Sequence, residues 1–340
     1  MRVARVRAKG DVELMDLPEP EPGPGQVRVR MLQCGICGSD LHVYRAEWSI
    51  ASRIGHEMCA VVERLGAGVS GPAPGTRVCA ECFSHCAKCR YCVQGDYNLC
   101  ESVSFLGAHE HSGLAERPVL PAEALYPVPD SFSDAQAMMV EPLAVAFRAV
   151  SRAGAGPGRS IGIIGAGTIG LLCVAAARAA GASHVAVAAK HAHQAAMARE
   201  LGADIVAMSA DQSAVDALRG EGKGLDAAID AAARGSSFSW ALAVVRNQGR
   251  VVLVGGLTRP LIVNLGPVEA HELEVTGSQC YATTRGRPDF VWAIELISSG
   301  RVRVEPLVTH TLPLDRVDEA FRIAGDKSTG CIKVAVRVAG

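Results

Sequence analysis

Ser160-Ile161-Gly162-Ile163-Ile164-Gly165-Ala166-Gly167-Thr168-Ile169-Gly170 holds the first clue to the architecture. Ile161 to Ile164 are a short apolar run of the kind that becomes a buried strand, and Leu171 to Ala180 continue as a helix. Between them Gly165, Gly167 and Gly170 stand at G-x-G-x-x-G spacing, with Thr168 and Ile169 opening the helix. Glycine is needed at the tight turn, where backbone approaches a pyrophosphate, and where helix meets strand; the helix N-terminus favours the phosphate charge. A second strand is expected at Val185 to Ala189, then a helix from Ala192 to Leu201 closed by Gly202, and further strands near Ala227 to Asp230 and Arg250 to Val254. This alternation predicts a doubly wound parallel sheet that binds a dinucleotide. Ser160 to Ala177 is an uncharged run of 18 residues, long enough for a membrane-span candidate. Its glycines at 162, 165, 167 and 170 mark a strand turning into a helix, so buried soluble structure is the expectation.

The second strand ends on Ala189, followed by Lys190 and His191. A carboxylate at that place usually accepts hydrogen bonds from the adenosine ribose and selects NAD. Its absence removes repulsion against a 2′-phosphate and Lys190 supplies a positive charge, so NADP is favoured over NAD. A solvated Lys190 beside weakly held NAD is the alternative.

A length of 340 residues suggests two domains. With 34 basic and 35 acidic side chains the net charge is -1, so no global field favours nucleic acid or an anionic membrane, and a small-molecule partner is expected. Met1 to Asp16 lacks the apolar core of a signal peptide, which points to the cytoplasm. Nine of the 12 cysteines precede residue 101, several at metal-ligand spacing, so thiolates on zinc explain them better than disulfides.

Val27, Val29 and Met31 alternate with Arg28 and Arg30, a half-buried strand that delivers the chain to Cys34 and Cys37. Cys37-Gly38-Ser39-Asp40-Leu41-His42 and Gly55-His56-Glu57 then offer a thiolate, an imidazole and a carboxylate, with Glu141 as a second carboxylate. These are the ligand types of a catalytic zinc, which leaves one position open. Ser39 and His42 are close enough in sequence to move a proton towards solvent. Cys34 and Cys37 as a redox pair is the competing reading. Cys86, Cys89, Cys92 and Cys100 form C-x2-C-x2-C-x7-C, a set able to close a tetrahedron around a structural zinc; Cys82 is an alternative to Cys86.

Taken in order, Cys37 to His42, Gly55-His56-Glu57, the four-cysteine lobe, Glu141-Pro142-Leu143 and Gly165 to Gly170 resemble the zinc-containing medium-chain alcohol dehydrogenase family. The pattern looks most like its sorbitol and threonine dehydrogenase branch, over essentially the whole chain. The resemblance implies an α/β protein with a chaperonin-10-like β-rich catalytic domain over 1–147, a Rossmann domain over 148–286 and a return to the first domain over 287–340. It implies two zinc ions per chain: a catalytic one on Cys37, His56 and either Glu57 or Glu141, and a structural one on Cys86, Cys89, Cys92 and Cys100. Cys34 and Cys82 are then bystanders. The implied reaction is hydride transfer between a nicotinamide cofactor and a secondary alcohol of a polyol, cyclitol, sugar derivative or hydroxy amino acid. Ser39 would take the proton, with the cofactor ribose and His42 carrying it outward, and Val254 and Gly255 would pass near the nicotinamide. Tyr281 matches an aromatic residue of the sorbitol enzyme's pocket, while Cys280 stands where that enzyme has arginine. A homodimer or homotetramer is implied. An NADPH-dependent aldehyde reductase is the enzymatic alternative; a non-enzymatic family member is the other, weakened by the complete ligand set.

Overall fold

The alternation of Val27, Val29 and Met31 with arginines yields the strand Gln26–Gly35, on which the three apolar side chains are fully buried. The structure, a computed structural model, describes residues 1–49, 54–106, 112–208, 212–219, 224–256 and 260–338. It divides into two units, Met1–Glu141 with Val304–Gly340, and Pro142–Arg303.

In the first unit Gln26–Gly35 lies at the centre of a seven-stranded sheet. The path runs Val308–Pro313, Lys333–Arg337, Gln26–Gly35, Glu57–Leu65, Arg77–Ala80, Leu125–Pro127, with Val119–Pro121 added to the central strand. Every pairing is antiparallel except that of Val308–Pro313 with Lys333–Arg337. Val27, Val29 and Met31 pack with Met58, Ala60, Val62 and Phe321 to form the core. One register detail builds the site: Gly35 stands opposite both Glu57 and Ala335. A Cβ on Gly35 would fall 1.9 Å from Glu57 Oε2, so only glycine admits that carboxylate beside the strand. Asp315 ion-pairs with Arg2, and His310 Nδ1 lies 3.0 Å from Thr309 Oγ1; both make structural contacts.

The second unit is a six-stranded parallel sheet in the order Ile205–Ala207, His184–Ala188, Ser160–Ile164, Leu225–Asp230, Val245–Leu253, Glu274–Gly277. The order reverses between Ser160–Ile164 and Leu225–Asp230, which places Ile164 opposite Asp230. In such sheets the ligand crevice lies at the carboxyl ends of the strands at this reversal. The uncharged run became the strand Ser160–Ile164 and the helix Thr168–Ala179, and among the described residues no helix is long and apolar enough to cross a membrane.

Residues 142–147 and 287–303, expected with the catalytic domain, fall in the second unit. The physical reason is burial. Helix Asp289–Ser298 carries Asp289, which accepts from the Ala282 N–H at 2.7 Å and ion-pairs with Arg148 at 3.6 Å, and Phe290, whose ring meets Tyr281 edge-on at 4.7 Å. From the other segment Phe147 stacks on Trp292 of the same helix at 5.6 Å, so both segments are held to one core. Tyr281 is accordingly fully buried, a core residue of this unit.

Candidate active site

Cys37 is the N-cap of the short helix Gly38–Tyr44, and Asp40 in its first turn determines how the neighbouring segments meet. Asp40 Oδ2 accepts the Cys37 N–H at 2.8 Å, and Oδ1 accepts the Gly55 N–H at 3.1 Å. Oδ1 also lies 3.4 Å from His56 Nδ1. One fully buried carboxylate therefore ties the thiol segment to the imidazole segment. With Nδ1 directed at Asp40, Nε2 is the nitrogen left to bind, and it lies 3.5 Å from Ser39 Oγ. Burial works against protonation of His56, but Asp40 and Cys37 outweigh it and raise its pKa well above the ordinary histidine value.

One donor atom each from Cys37, His56 and Glu57 lies within 4.8 Å of the others. Donors sharing a tetrahedral zinc stand ~3.3–3.8 Å apart, so a small closure brings this sulfur, nitrogen and oxygen onto one ion, and the set fits zinc. Glu57 is also gripped by Lys333, whose Nζ donates to Oε1 at 2.5 Å, to Oε2 at 2.6 Å and to the Ile36 carbonyl at 3.1 Å. Burial opposes the lysine charge, yet Glu57 raises its pKa overall, so the amine stays protonated. Glu141 stands outside the three-donor group but is buried beside it. Burial pushes its carboxyl well above the usual range, opposed by His56 and reinforced by Cys82 and Glu57.

Cys86, Cys89, Cys92 and Cys100 bring their four sulfurs within 4.8 Å of one another. The Cys86–Cys92 and Cys89–Cys92 separations are 3.9 and 3.5 Å, against ~3.8 Å for thiolates on a tetrahedral zinc. Backbone N–H groups aim at them: Cys89 N–H at Cys86 Sγ, and Cys86 and Ser102 N–H at Cys100 Sγ, each at 3.3 Å. Such donors lower the thiol of Cys89 to about 6, whereas desolvation and the neighbouring sulfurs push Cys92 up to about 12. A cation is what lets all four be thiolates together. Cys82 is buried and outside this group, and Cys34 is buried with its Sγ 3.6 Å from the Gly35 carbonyl.

In the second unit Gly165 has φ +105°, a left-handed value that a side chain resists, and a Cβ on Gly170 would lie 1.8 Å from the Gly165 carbonyl oxygen. Gly167, the N-cap of helix Thr168–Ala179, has no side-chain capping bond and open space where its Cβ would point. That is a cradle of the shape a diphosphate needs. Gly170→Ala is expected to lose measurable nucleotide binding and about 1–3 kcal/mol of stability; fluorescence titration and thermal melting check it, and an unchanged variant would mean that the turn has room to relax. Val254 and Gly255 donate their N–H groups to the Asp230 carbonyl at 3.0 and 3.2 Å, at the reversal point of the sheet. Ala189 donates to the Ala207 carbonyl, Lys190 is exposed, and the His191 ring stacks 5.6 Å from His193.

Residues that sequence reasoning missed are Asp40 and Lys333. Asp40 carried a signal, an acidic residue at the third position of a helix that begins at Cys37. Lys333 carried none, being 276 residues from Glu57.

Residues 23–130 match the alcohol dehydrogenase GroES-like domain and residues 168–299 match the zinc-binding dehydrogenase family. The chain is 33% identical over 322 residues to L-idonate 5-dehydrogenase of Vitis vinifera, covering 90% of this chain and 86% of that protein. It is 33% identical to sorbitol dehydrogenase of Arabidopsis thaliana, over 90% of this chain and 87% of that protein. Its fold superposes on galactitol-1-phosphate dehydrogenase of Escherichia coli with a TM-score of 0.89 at 26% identity, covering 99% of this chain and 100% of the other.

Proposed function

Because the chain belongs to the zinc-containing medium-chain alcohol dehydrogenase family, in its sorbitol dehydrogenase-like branch, we propose that Cys37, His56 and a carboxylate from Glu57 or Glu141 hold its reactive zinc. The protein is an oxidoreductase acting on a secondary alcohol or the matching ketone. Its substrate class is that of the relatives, polyols and sugar derivatives with several hydroxyls; cyclitols and hydroxy amino acids are the neighbouring candidates. When bound, zinc supplies Lewis acidity that lowers the pKa of the alcohol, and the nicotinamide accepts or returns the hydride.

The remaining chemistry belongs to the chain's own side chains. Ser39 Oγ, beside His56 Nε2, accepts the substrate proton. His42, three residues further along the same helix and on the same face, passes it to solvent. Asp40 holds His56 with the correct nitrogen forward, and Lys333 holds Glu57 in place. Cys86, Cys89, Cys92 and Cys100 hold a second, structural zinc. The convergence of Cys37, His56 and Glu57 donors within 4.8 Å is the observation that carries the reading. It is tested by turnover of a polyol panel with each nicotinamide cofactor: activity lost on chelation and restored by zinc is expected, and a panel without any turnover would overturn it.

The cofactor we propose is NADP, on the strength of Ala189 and Lys190. Lys190→Ala is expected to weaken NADP about 10-fold or more, the size of one charge-assisted hydrogen bond, and to leave NAD unchanged. Titration with both cofactors at fixed ionic strength decides; tighter NAD binding that ignores the substitution would reverse the assignment. The proposed assembly is a cytoplasmic homodimer or homotetramer, as is usual in the family.

A further inference from the structure

His42 is held from three sides by the segment that follows its helix. Its Nδ1 lies 2.5 Å from Glu47 Oε2. Its carbonyl accepts the N–H groups of Glu47 at 2.9 Å and Trp48 at 3.2 Å, and the Trp48 ring lies 5.1 Å from the imidazole. The chain returns to His42 through Ala46, whose φ of +54° is a left-handed value that alanine adopts at a cost. A solvated surface histidine needs none of this.

We propose that Glu47 is a positioning residue for proton exit: its carboxylate holds His42 Nδ1–H, so that Nε2 is the nitrogen that receives the substrate proton. This rests on the reading of His42 as the relay to solvent. In a neutral imidazole one nitrogen donates and the other accepts, so fixing Nδ1 as donor fixes Nε2 as acceptor. Both side chains are about one quarter exposed, 24% and 25%, which leaves a route to water.

Other charges around helix Gly38–Tyr44 are engaged elsewhere. On the helix itself Asp40 serves Cys37 and Gly55, and beyond it Arg45 donates to the Gly325 carbonyl. On the helix Val317–Gly325 packed against it, Asp318 pairs with Arg322, and Glu319 pairs with Arg316. On the strand Arg2–Ala8, also packed against it, Arg2 pairs with Glu116 and Asp315, Arg5 with Glu13, and Arg7 with Asp11. Among the described residues, Glu47 is thus the carboxylate set against this imidazole.

The test compares wild type with Glu47→Gln and Glu47→Ala in the zinc-loaded protein. Proton–nitrogen correlation spectra, with the ring assigned through His42→Gln, read the tautomer without any turnover. Wild-type His42 is expected as the Nδ1–H tautomer, and Glu47→Ala as a mixture of the two tautomers. In alcohol oxidation Glu47→Ala should lose about 10-fold or more in kcat with KM unchanged, and Glu47→Gln, whose amide oxygen still accepts the Nδ1–H, should keep most of it. An Nε2–H tautomer in wild type, or the same tautomer mixture in wild type and Glu47→Ala, would overturn the proposal. If no alcohol were oxidised, the relay reading would fail, whereas the spectra would still report on the Glu47–His42 pair.

Discussion

Cys37→Ala is expected to reduce kcat for alcohol oxidation by about 10³-fold or more and to remove one equivalent of zinc while leaving the other. Cys37 supplies the thiolate of the three-donor group, and the remaining pair, His56 and Glu57, includes a carboxylate already held by Lys333. Lewis-acid stabilisation of developing charge contributes several kcal/mol, and about 4 kcal/mol corresponds to the stated factor. The four cysteines of the lobe are separate residues with their own N–H donors, so their metal should persist. Metal content by elemental analysis beside steady-state kinetics checks both halves. Retained turnover with unchanged zinc would show that the thiol is a bystander.

The second large effect is on stability. Lys333 and Glu57 are 3% and 1% exposed in side chain, and removing one member of such a pair leaves a buried charge without compensation. Lys333→Met should therefore cost about 3–5 kcal/mol. The sign with pH follows from the raised lysine pKa: the contribution is fully present below the unfolded lysine value and is lost as pH rises through the folded one. At neutral pH the whole effect should be visible. The loss should be larger in chelated protein than in zinc-loaded protein, because a cation beside Glu57 substitutes for the ammonium. Denaturant unfolding with and without chelator measures both, and a chelated loss below about 1 kcal/mol would mean that the carboxylate finds another partner.

Much of this architecture was legible because it is local. Strand, glycine turn and helix follow one another within Ser160 to Ala179, and the ligand segments Cys37 to His42 and Gly55 to Glu57 each lie beside a strand that the apolar pattern announces. Other parts left little trace in the chain. Ile205–Ala207 is an apolar run of only three residues and Glu274–Gly277 has no apolar run, and both become strands through their neighbours in the sheet. The division at Arg303 depends on what Asp289 and Phe290 touch after folding, which no spacing encodes. Ala46 takes a left-handed turn without glycine or asparagine to signal it, so the approach of Glu47 to His42 could not be read in advance.

The central strand of the first unit is flanked on one side by Lys333–Arg337, residues made after every part of the second unit. During synthesis the ribosome delivers Gln26–Gly35 and Glu57–Leu65 early; Val119–Pro121 soon covers the start of the remaining edge, but for some 270 residues its Gln33–Gly35 end has no partner. The second unit, whose sheet is contiguous in the chain, can fold completely in that interval. The first must wait, with Glu57 lacking its lysine and a sheet edge open to other chains, a state prone to misassociation. The enzyme is therefore expected to mature from the middle outward, its nucleotide unit finished before its metal unit closes.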